Sequence, residues 1–176
     1  MTLACGSDQS SYSIQKLGPQ TMVLTSPSFK HGERIPERHA ALGGRQSPPL
    51  EWKNAPPGTR SFLLYCRDLD VRSSSWTVWF RYNIPAATNH LVEGAGNHDP
   101  FPDGTVQPCY YMGVGAREGE TYRFEFTLYA LDTLLGPGLT AIEPLSVDAY
   151  VTGHVLAKAQ LIGTYTYNFH GGPPIF

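Results

Sequence analysis

The sequence has little of what several protein classes require. It contains no run of about 18 apolar residues, so it predicts no membrane span. Charged residues make up 16% of the chain, and its net charge of −2 offers no basic patch, which argues against a nucleic-acid partner. A GxSxG motif, a glycine-rich phosphate loop and a nucleophile triad are also missing from the sequence. These absences favour a binding protein over the common hydrolase and nucleotide-binding classes.

The cysteines and histidines of the sequence also lack the spacing of metal ligands. The cysteines Cys5, Cys66 and Cys109 form no CxxC pair, and the six histidines show no spacing typical of a metal site. The sequence therefore predicts no metal and no cofactor. Cys66 ends an apolar run, and we expect it to be a small buried hydrophobe.

The first 20 residues are polar and carry no period, and they begin with "MTLACGSDQSS". A cysteine followed by small polar residues resembles the mature start of a bacterial lipoprotein. No charged and apolar leader precedes it in this sequence, which favours a cytoplasmic location over a trimmed lipoprotein or a periplasmic protein. We expect a flexible arm over residues 1–20, a single domain over 21–170 and a loose tail over 171–176.

The abundant residues are those of turns, with 18 glycines and 15 prolines among 176 residues. Short apolar or alternating segments between them predict β-strands, and one segment with an apolar stripe at helical spacing predicts a helix. The predicted strands are 21–26, 61–66, 76–84, 121–131 (half-buried) and 164–169, and the predicted helix lies within 146–162. The fold class is therefore mostly β, as an antiparallel sandwich or Greek key with a helix near the C-terminus.

The segment "RDLDVRSSSWTVWF" (67–80) suggests a binding pocket, because two aspartates precede a tryptophan-rich strand. Strict alternation would divide this strand into two faces, with only one of its two tryptophans able to line the pocket. One predicted face carries Trp76, Val78, Phe80 and Tyr82, and the other carries Thr77, Trp79 and Arg81.

Several motifs then follow in a familiar order. "SPPLEW" (47–52), "APPGTRSF" (55–62), the Asp-x-Asp turn, "YNIPA" (82–86), "GETYRFEFTLYALD" (119–132) and "VLAKAQLIGTY" (155–165) together resemble the phosphatidylethanolamine-binding protein family. That family includes the Raf kinase inhibitor protein and small bacterial relatives. The resemblance runs from about Ser28 to Tyr167 and implies two packed antiparallel sheets, with a pocket for phosphate or a phospholipid headgroup at one edge.

The resemblance also implies which residues line that pocket. The positions that match the family motifs are Asp68 and Asp70 of the aspartate loop, Trp76 and Trp79 of the tryptophan strand, Gly113 of a glycine-rich loop and Arg123 of the second signature.

Other positions depart from the family pattern. Leu69 replaces the proline between the aspartates, and Arg72 replaces the next proline. Val78 and Tyr122 stand where the family has its two pocket histidines. A proline pair of the glycine-rich loop appears as Ala116 and Arg117. These departures imply an anion site that has been rebuilt, in which Arg72 or Arg117 would be the remaining candidates for an anion donor.

The leading hypothesis is a binding protein whose remodelled pocket takes a neutral or aromatic small molecule. The predicted ligand-binding residues are Asp68, Asp70, Trp76, Val78, Trp79, Tyr111, Gly113 and Tyr122. One alternative is an enzyme that catalyses cyclisation or isomerisation of an apolar metabolite. In that case Asp70 or Asp68 would be the acid or base, and Tyr122 would orient the substrate. Another is a module that inhibits a kinase or protease. A homodimer is left open.

Each candidate also has a plain structural interpretation. Asp68 and Asp70 could cap turn amides or pair with Arg67 and Arg72. If instead both carboxylates were buried together, their like charges would raise the pKa of one of them. Tyr122 could be an ordinary core tyrosine with a hydrogen-bonded hydroxyl.

Overall fold

Short strands dominate the computed structural model, which describes residues 21–71, 76–98, 102–136 and 144–168. The predicted arm and tail, with Cys5 and Arg72, lie outside the described residues. The strands are β1 (Val23–Thr25), β2 (Leu50–Lys53), β3 (Ser61–Asp68), β4 (Thr77–Pro85), β5 (His90–Leu91), β6 (Val106–Cys109), β7 (Thr121–Leu131) and β8 (Val155–Thr166). The helix α1 is Pro144–Val151, and short 3-10 helices cover Glu37–His39 and Ala95–Asn97.

The strands form two antiparallel sheets, which confirms the predicted sandwich. A five-stranded sheet has the order β6-β4-β3-β7-β8, and a three-stranded sheet has the order β1-β2-β5. One buried cluster joins the two sheets: Leu24, Leu50 and Trp52 of the smaller sheet belong to it together with Phe62 and Phe126 of the larger one. Burying these apolar surfaces between the sheets is the main source of stability of such a sandwich.

The outer face of the larger sheet is covered by α1. Val147 and Val151 of the helix share a second buried cluster with Tyr65, Phe80 and Tyr129 of the strands. The Tyr129 hydroxyl donates a short hydrogen bond to Asp148. Within the described residues, no helix has the length and apolar character needed to cross a membrane.

Strand β7 has the predicted bounds, but it is buried more deeply than a half-exposed strand. It lies between β3 and β8, and its residues from Phe124 to Leu131 are all buried. The polar face is accommodated because Arg67 forms a 2.8 Å ion pair with Glu125 and Gln160 donates a 2.8 Å hydrogen bond to the same carboxylate. These partners offset part of the cost of burying the Glu125 carboxylate.

Strand β4 corrects the predicted division into faces. Its register with β3 shifts between Cys66↔Trp79 and Arg67↔Thr77, so Val78 is an extra residue in a β-bulge. As a result, Val78 and Trp79 both face the core between the sheets, whereas Phe80 belongs to the outer cluster. Strict alternation was therefore the wrong rule for this strand.

The predicted helix over 146–162 is also wrong in its second half. The helix ends at Val151, and Gly153, with φ of +84°, leads into the turn that follows. Residues from Val155 onward form β8, in which Ala159, Leu161 and Tyr165 are buried at alternate positions. The two-residue period of these side chains outweighs the helical stripe that precedes them, and the separately predicted strand 164–169 is the end of the same strand.

We predict that Gly163→Ala lowers the free energy of unfolding by about 1–3 kcal/mol, because an added methyl group overpacks the core. A Cβ at this position would lie 2.5 Å from Ile35 Cγ1 and 2.8 Å from Phe29 Cε2. The matched control is Gly136→Ala, where a Cβ meets no atom within 4 Å. Urea unfolding of both variants measures the difference. Equal stabilities would show that Ile35 and Phe29 move aside for the methyl group without cost.

Candidate functional site

A cavity of about 420 Å³ opens at one end of the larger sheet. Because neighbouring strands are antiparallel, the end of β3 and the starts of β4 and β7 meet there. Two loops complete the walls. The lining residues are Ala41, Asp68, Val71, Trp76, Val78, Met112, Gly113, Gly115, Ala116, Arg117, Tyr122 and Phe124.

Asp68 ends β3 and holds the turn that follows. Its Oδ1 accepts hydrogen bonds from the backbone amides of Asp70 at 2.8 Å and Val71 at 3.2 Å. Among the described residues, no donor forms a hydrogen bond with Oδ2. The residue is 6% exposed, and desolvation on burial is the main cause that raises the pKa of Asp68. One oxygen of the Asp68 carboxylate is thus fixed, and the residue lines the cavity.

Asp70 has a different role, because it lies beside the cavity and is not among its lining residues. Its carboxylate accepts from the guanidinium of Arg123, with a shortest distance of 2.6 Å, and from the Arg123 backbone amide at 2.8 Å. These hydrogen bonds from Arg123 lower the pKa of Asp70. The partner of Asp70 is therefore Arg123, not Arg67, which pairs with Glu125.

The two aspartates do not behave as a coupled acid pair. Their pKa values move in opposite directions: burial raises that of Asp68, and Arg123 lowers that of Asp70. The like charge of Asp70 is only the last of the causes acting on the pKa of Asp68. The pKa values of the two aspartates therefore differ because of their local environments more than because of mutual repulsion.

Only one of the two tryptophans lines the cavity. Trp76 is 55% exposed and lines the cavity, whereas Trp79 is fully buried and donates from Nε1 to Gln107 at 2.9 Å. Val78 lines the cavity because the bulge turns it toward the core side. Trp79, which the resemblance placed in the pocket, is a core residue.

Gly113 brings two loops into contact. Its φ is +84°, and a Cβ at this position would lie 2.5 Å from the backbone nitrogen and Cα of Ala41. The neighbouring Tyr111, predicted as a ligand-binding residue, is instead buried and donates its hydroxyl hydrogen bond to the carbonyl of His39 at 2.8 Å. It anchors the loop that carries Ala41 and does not line the cavity.

Tyr122 lines the cavity, and its hydroxyl donates a 2.9 Å hydrogen bond to Glu120. That bond is the main cause that raises the pKa of Tyr122, and the positive charge of Arg117 counters part of the effect. Arg117 also lines the cavity, and no carboxylate of the described residues lies within ion-pair distance of its guanidinium.

Sequence reasoning missed part of the wall, most clearly Ala41, Met112 and Phe124. Phe124 carried a usable signal, since it lies two residues from Tyr122 on the same face of β7. Ala41 comes from a loop far away in the sequence, and no local pattern marks it. The described residues contain no group of three or more histidine, cysteine, aspartate or glutamate side chains that could hold a metal ion.

A larger hollow of about 640 Å³ lies elsewhere, between the starts of β1 and β8. Its lining includes Pro56, Pro57 and Leu156, with Lys158 as its one titratable side chain among the described residues. The smaller cavity beside Asp68 is the better candidate, because it combines apolar walls with both signs of charge.

Comparison with known proteins agrees with the fold. A sequence profile described as phosphatidylethanolamine-binding protein matches residues 25–166. The chain belongs to this family. The UPF0098 protein of Methanothermobacter thermautotrophicus is 37% identical over 151 residues, covering 82% of this chain and 98% of that relative. The UPF0098 protein YbhB of Escherichia coli is 32% identical over 167 residues, covering 82% and 100%.

Solved structures of family members share the fold. A phosphatidylethanolamine-binding protein homologue from Chlamydia trachomatis superposes with a TM-score of 0.71 at 28% identity, covering 84% of this chain and 99% of that one. YbcL of Escherichia coli, described as a new member of the mammalian family, gives a TM-score of 0.75 at 26% identity, covering 85% and 100%. The family resemblance read from the motifs is thereby confirmed.

We predict that Asp70→Asn lowers the melting temperature at pH 7, because it removes the charge that pairs with Arg123. The lowered pKa means that this stabilisation is present above the ordinary value of 3.8 and is lost as the pH falls through the folded-state pKa. The deficit of the variant should therefore shrink below pH 4 in a series of thermal melts.

Asp68→Asn is the matched control. Its amide oxygen can still accept from both turn amides, and the raised pKa means that the buried charge costs stability once the pH exceeds the folded-state pKa. We expect this variant to melt at or above the wild-type temperature at pH 7. Equal losses in both variants would contradict the division of roles.

Proposed function

We propose that this protein binds a small molecule of no net charge, with an apolar or aromatic body, in the cavity beside Asp68. The single observation that supports this most is the composition of the walls. Trp76, Val78 and Phe124 supply apolar surface, and Asp68 supplies a buried hydrogen-bond acceptor. Pockets of this volume, with a few polar groups in apolar walls, are typical of small-molecule sites.

Phosphate is a poor match for the same cavity. Val78 cannot donate a hydrogen bond, and the hydroxyl of Tyr122 is already bonded to Glu120. Arg123, which matches the arginine of the family signature, is held by Asp70. The carboxylate of Asp68 would repel an anion, which leaves Arg117 as the one cationic side chain among the described lining residues.

An enzyme that reuses the cavity for cyclisation or isomerisation is the second candidate. The observation that favours it is the raised pKa of Asp68 in an apolar cavity, a property of many general acids and bases. Asp70 no longer suits this role, because Arg123 holds its carboxylate and lowers its pKa. Asp68→Asn would abolish such a reaction, since the amide cannot exchange a proton.

The third alternative, an inhibitory interaction module, would be favoured by a filled pocket. The open cavity of about 420 Å³ gives it no support. A homodimer stays a prediction from the sequence.

We predict that 2-phenylethanol binds the wild-type protein and that Trp76→Ala weakens this binding about tenfold, because an aromatic wall is lost. Leu134→Ala is the control, since Leu134 is also largely exposed and does not line the cavity. Chemical-shift titration measures both affinities. The proposal fails if no aromatic probe without net charge binds the wild type saturably, or if Trp76→Ala binds 2-phenylethanol as the wild type does.

We further predict that inorganic phosphate binds the wild type at least tenfold more weakly than the double variant Val78→His/Tyr122→His. Each restored donor to a charged ligand is worth roughly 1.5–3 kcal/mol. Val78→Leu/Tyr122→Phe alters the same positions without adding a donor. Calorimetric titration at fixed pH and salt compares the three proteins; equal phosphate affinities would show that Arg117, or Arg72 outside the described residues, already serves the anion.

A further inference from the structure

The cavity contains two side chains of opposite charge that are not paired with each other. Asp68 and Arg117 both line it, and no ion pair joins them. Asp68 uses Oδ1 for the turn amides, and no described donor reaches its Oδ2. No described carboxylate lies within 4.0 Å of the Arg117 guanidinium, although Asp70 and Arg123 form such a pair nearby.

We propose that the ligand of this cavity is a zwitterion: an α-amino acid with an apolar side chain, whose ammonium group binds Asp68 and whose carboxylate binds Arg117. This inference rests on the proposed function and specifies the chemical class of the ligand. The amino acid has no net charge, as that proposal requires, while each of its charged groups meets a partner of opposite sign.

The two charged groups of the ligand bind side chains in different environments. Asp68 is buried, and its Oδ2 has no described donor, so an ammonium group there would offset part of the cost of desolvation. Arg117 is exposed and solvated, and a ligand with an amine alone would bind Asp68 without using this second contact. A ligand with a carboxylate alone would pair with Arg117 and place a second negative charge beside Asp68. Only a ligand that carries both groups contacts both side chains.

The apolar walls define the rest of the ligand. Trp76, Val78, Met112 and Phe124 line the same cavity, so an alkyl or aryl side chain has apolar surface to cover. The volume of about 420 Å³ lies in the range of small-ligand pockets, roughly 300–1,000 Å³. The hydroxyl of Tyr122 donates its hydrogen bond to Glu120, and the proposed ligand needs no contact with it.

The test compares four probes with the same phenylethyl skeleton: L-phenylalanine, phenethylamine, 3-phenylpropanoate and 2-phenylethanol. Calorimetric or chemical-shift titration at pH 7 gives the dissociation constant of each. We expect L-phenylalanine to bind about tenfold or more tightly than each of the other three, because it alone makes both charged contacts.

Two variants assign the contacts. Asp68→Asn should remove the advantage of L-phenylalanine over 3-phenylpropanoate, and Arg117→Gln should remove its advantage over phenethylamine. Arg60→Gln is the control for loss of a positive charge, since Arg60 is exposed and does not line the cavity. It should leave all four affinities unchanged.

The outcomes separate this inference from the proposed function. If 2-phenylethanol binds as tightly as L-phenylalanine, the zwitterion is overturned and the proposed function stands. Tighter binding of phenethylamine than of L-phenylalanine would also overturn the zwitterion, in favour of a cationic ligand. Should none of the four probes bind, both proposals fail together.

Discussion

One oxygen of the Asp68 carboxylate holds the turn that leaves the larger sheet, and the pocket depends on this contact. The turn amides of Asp70 and Val71 fix the side chain at the end of β3. The turn is also tied to its neighbours, since the amide of Asp68 donates to the carbonyl of Trp76 and the amide of Leu69 donates to that of Arg123. These contacts hold the carboxylate at the buried end of β3, where desolvation raises its pKa.

The same turn also positions the carboxylate of Asp70 next to the guanidinium of Arg123. Because the amide of Leu69 donates to the carbonyl of Arg123, Asp70 lies beside the Arg123 side chain. Its two carboxylate oxygens accept hydrogen bonds from Nε and Nη2 of Arg123. A fork of this kind orients both groups more firmly than a single contact between point charges. The pair leaves Asp68 and Arg117 as the charged side chains of the described cavity wall.

Much of the fold follows from local patterns in the sequence, and the failures have identifiable physical causes. Alternation predicted β7 with its observed bounds because its face toward the smaller sheet is apolar without interruption from Phe124 to Ala130. Alternation failed on β4, where the Val78 bulge turns two consecutive side chains toward the core. A bulge depends on the register with the partner strand, which no local pattern contains.

The residues of the candidate site could also be predicted only in part. The motifs located Asp68, Trp76, Val78, Gly113 and Tyr122, all of which line the cavity. They did not separate Asp70 from Asp68, because that separation depends on which strand lies next to β3. The inclusion of Tyr111 failed for a similar reason: its hydroxyl reaches a loop more than 70 residues earlier, so its neighbour Met112 lines the cavity instead.

The aspartates that match the family motif do not by themselves determine the charge of the cavity. Arg123 matches the family arginine, yet its guanidinium is neutralised by Asp70 outside the cavity. The described wall then carries one negative side chain, Asp68, and one positive side chain, Arg117. A dianion in this cavity would be attracted by Arg117 and repelled by Asp68. A molecule without net charge meets no such opposition, and its selection would depend on how its dipole and apolar body fit between the two side chains.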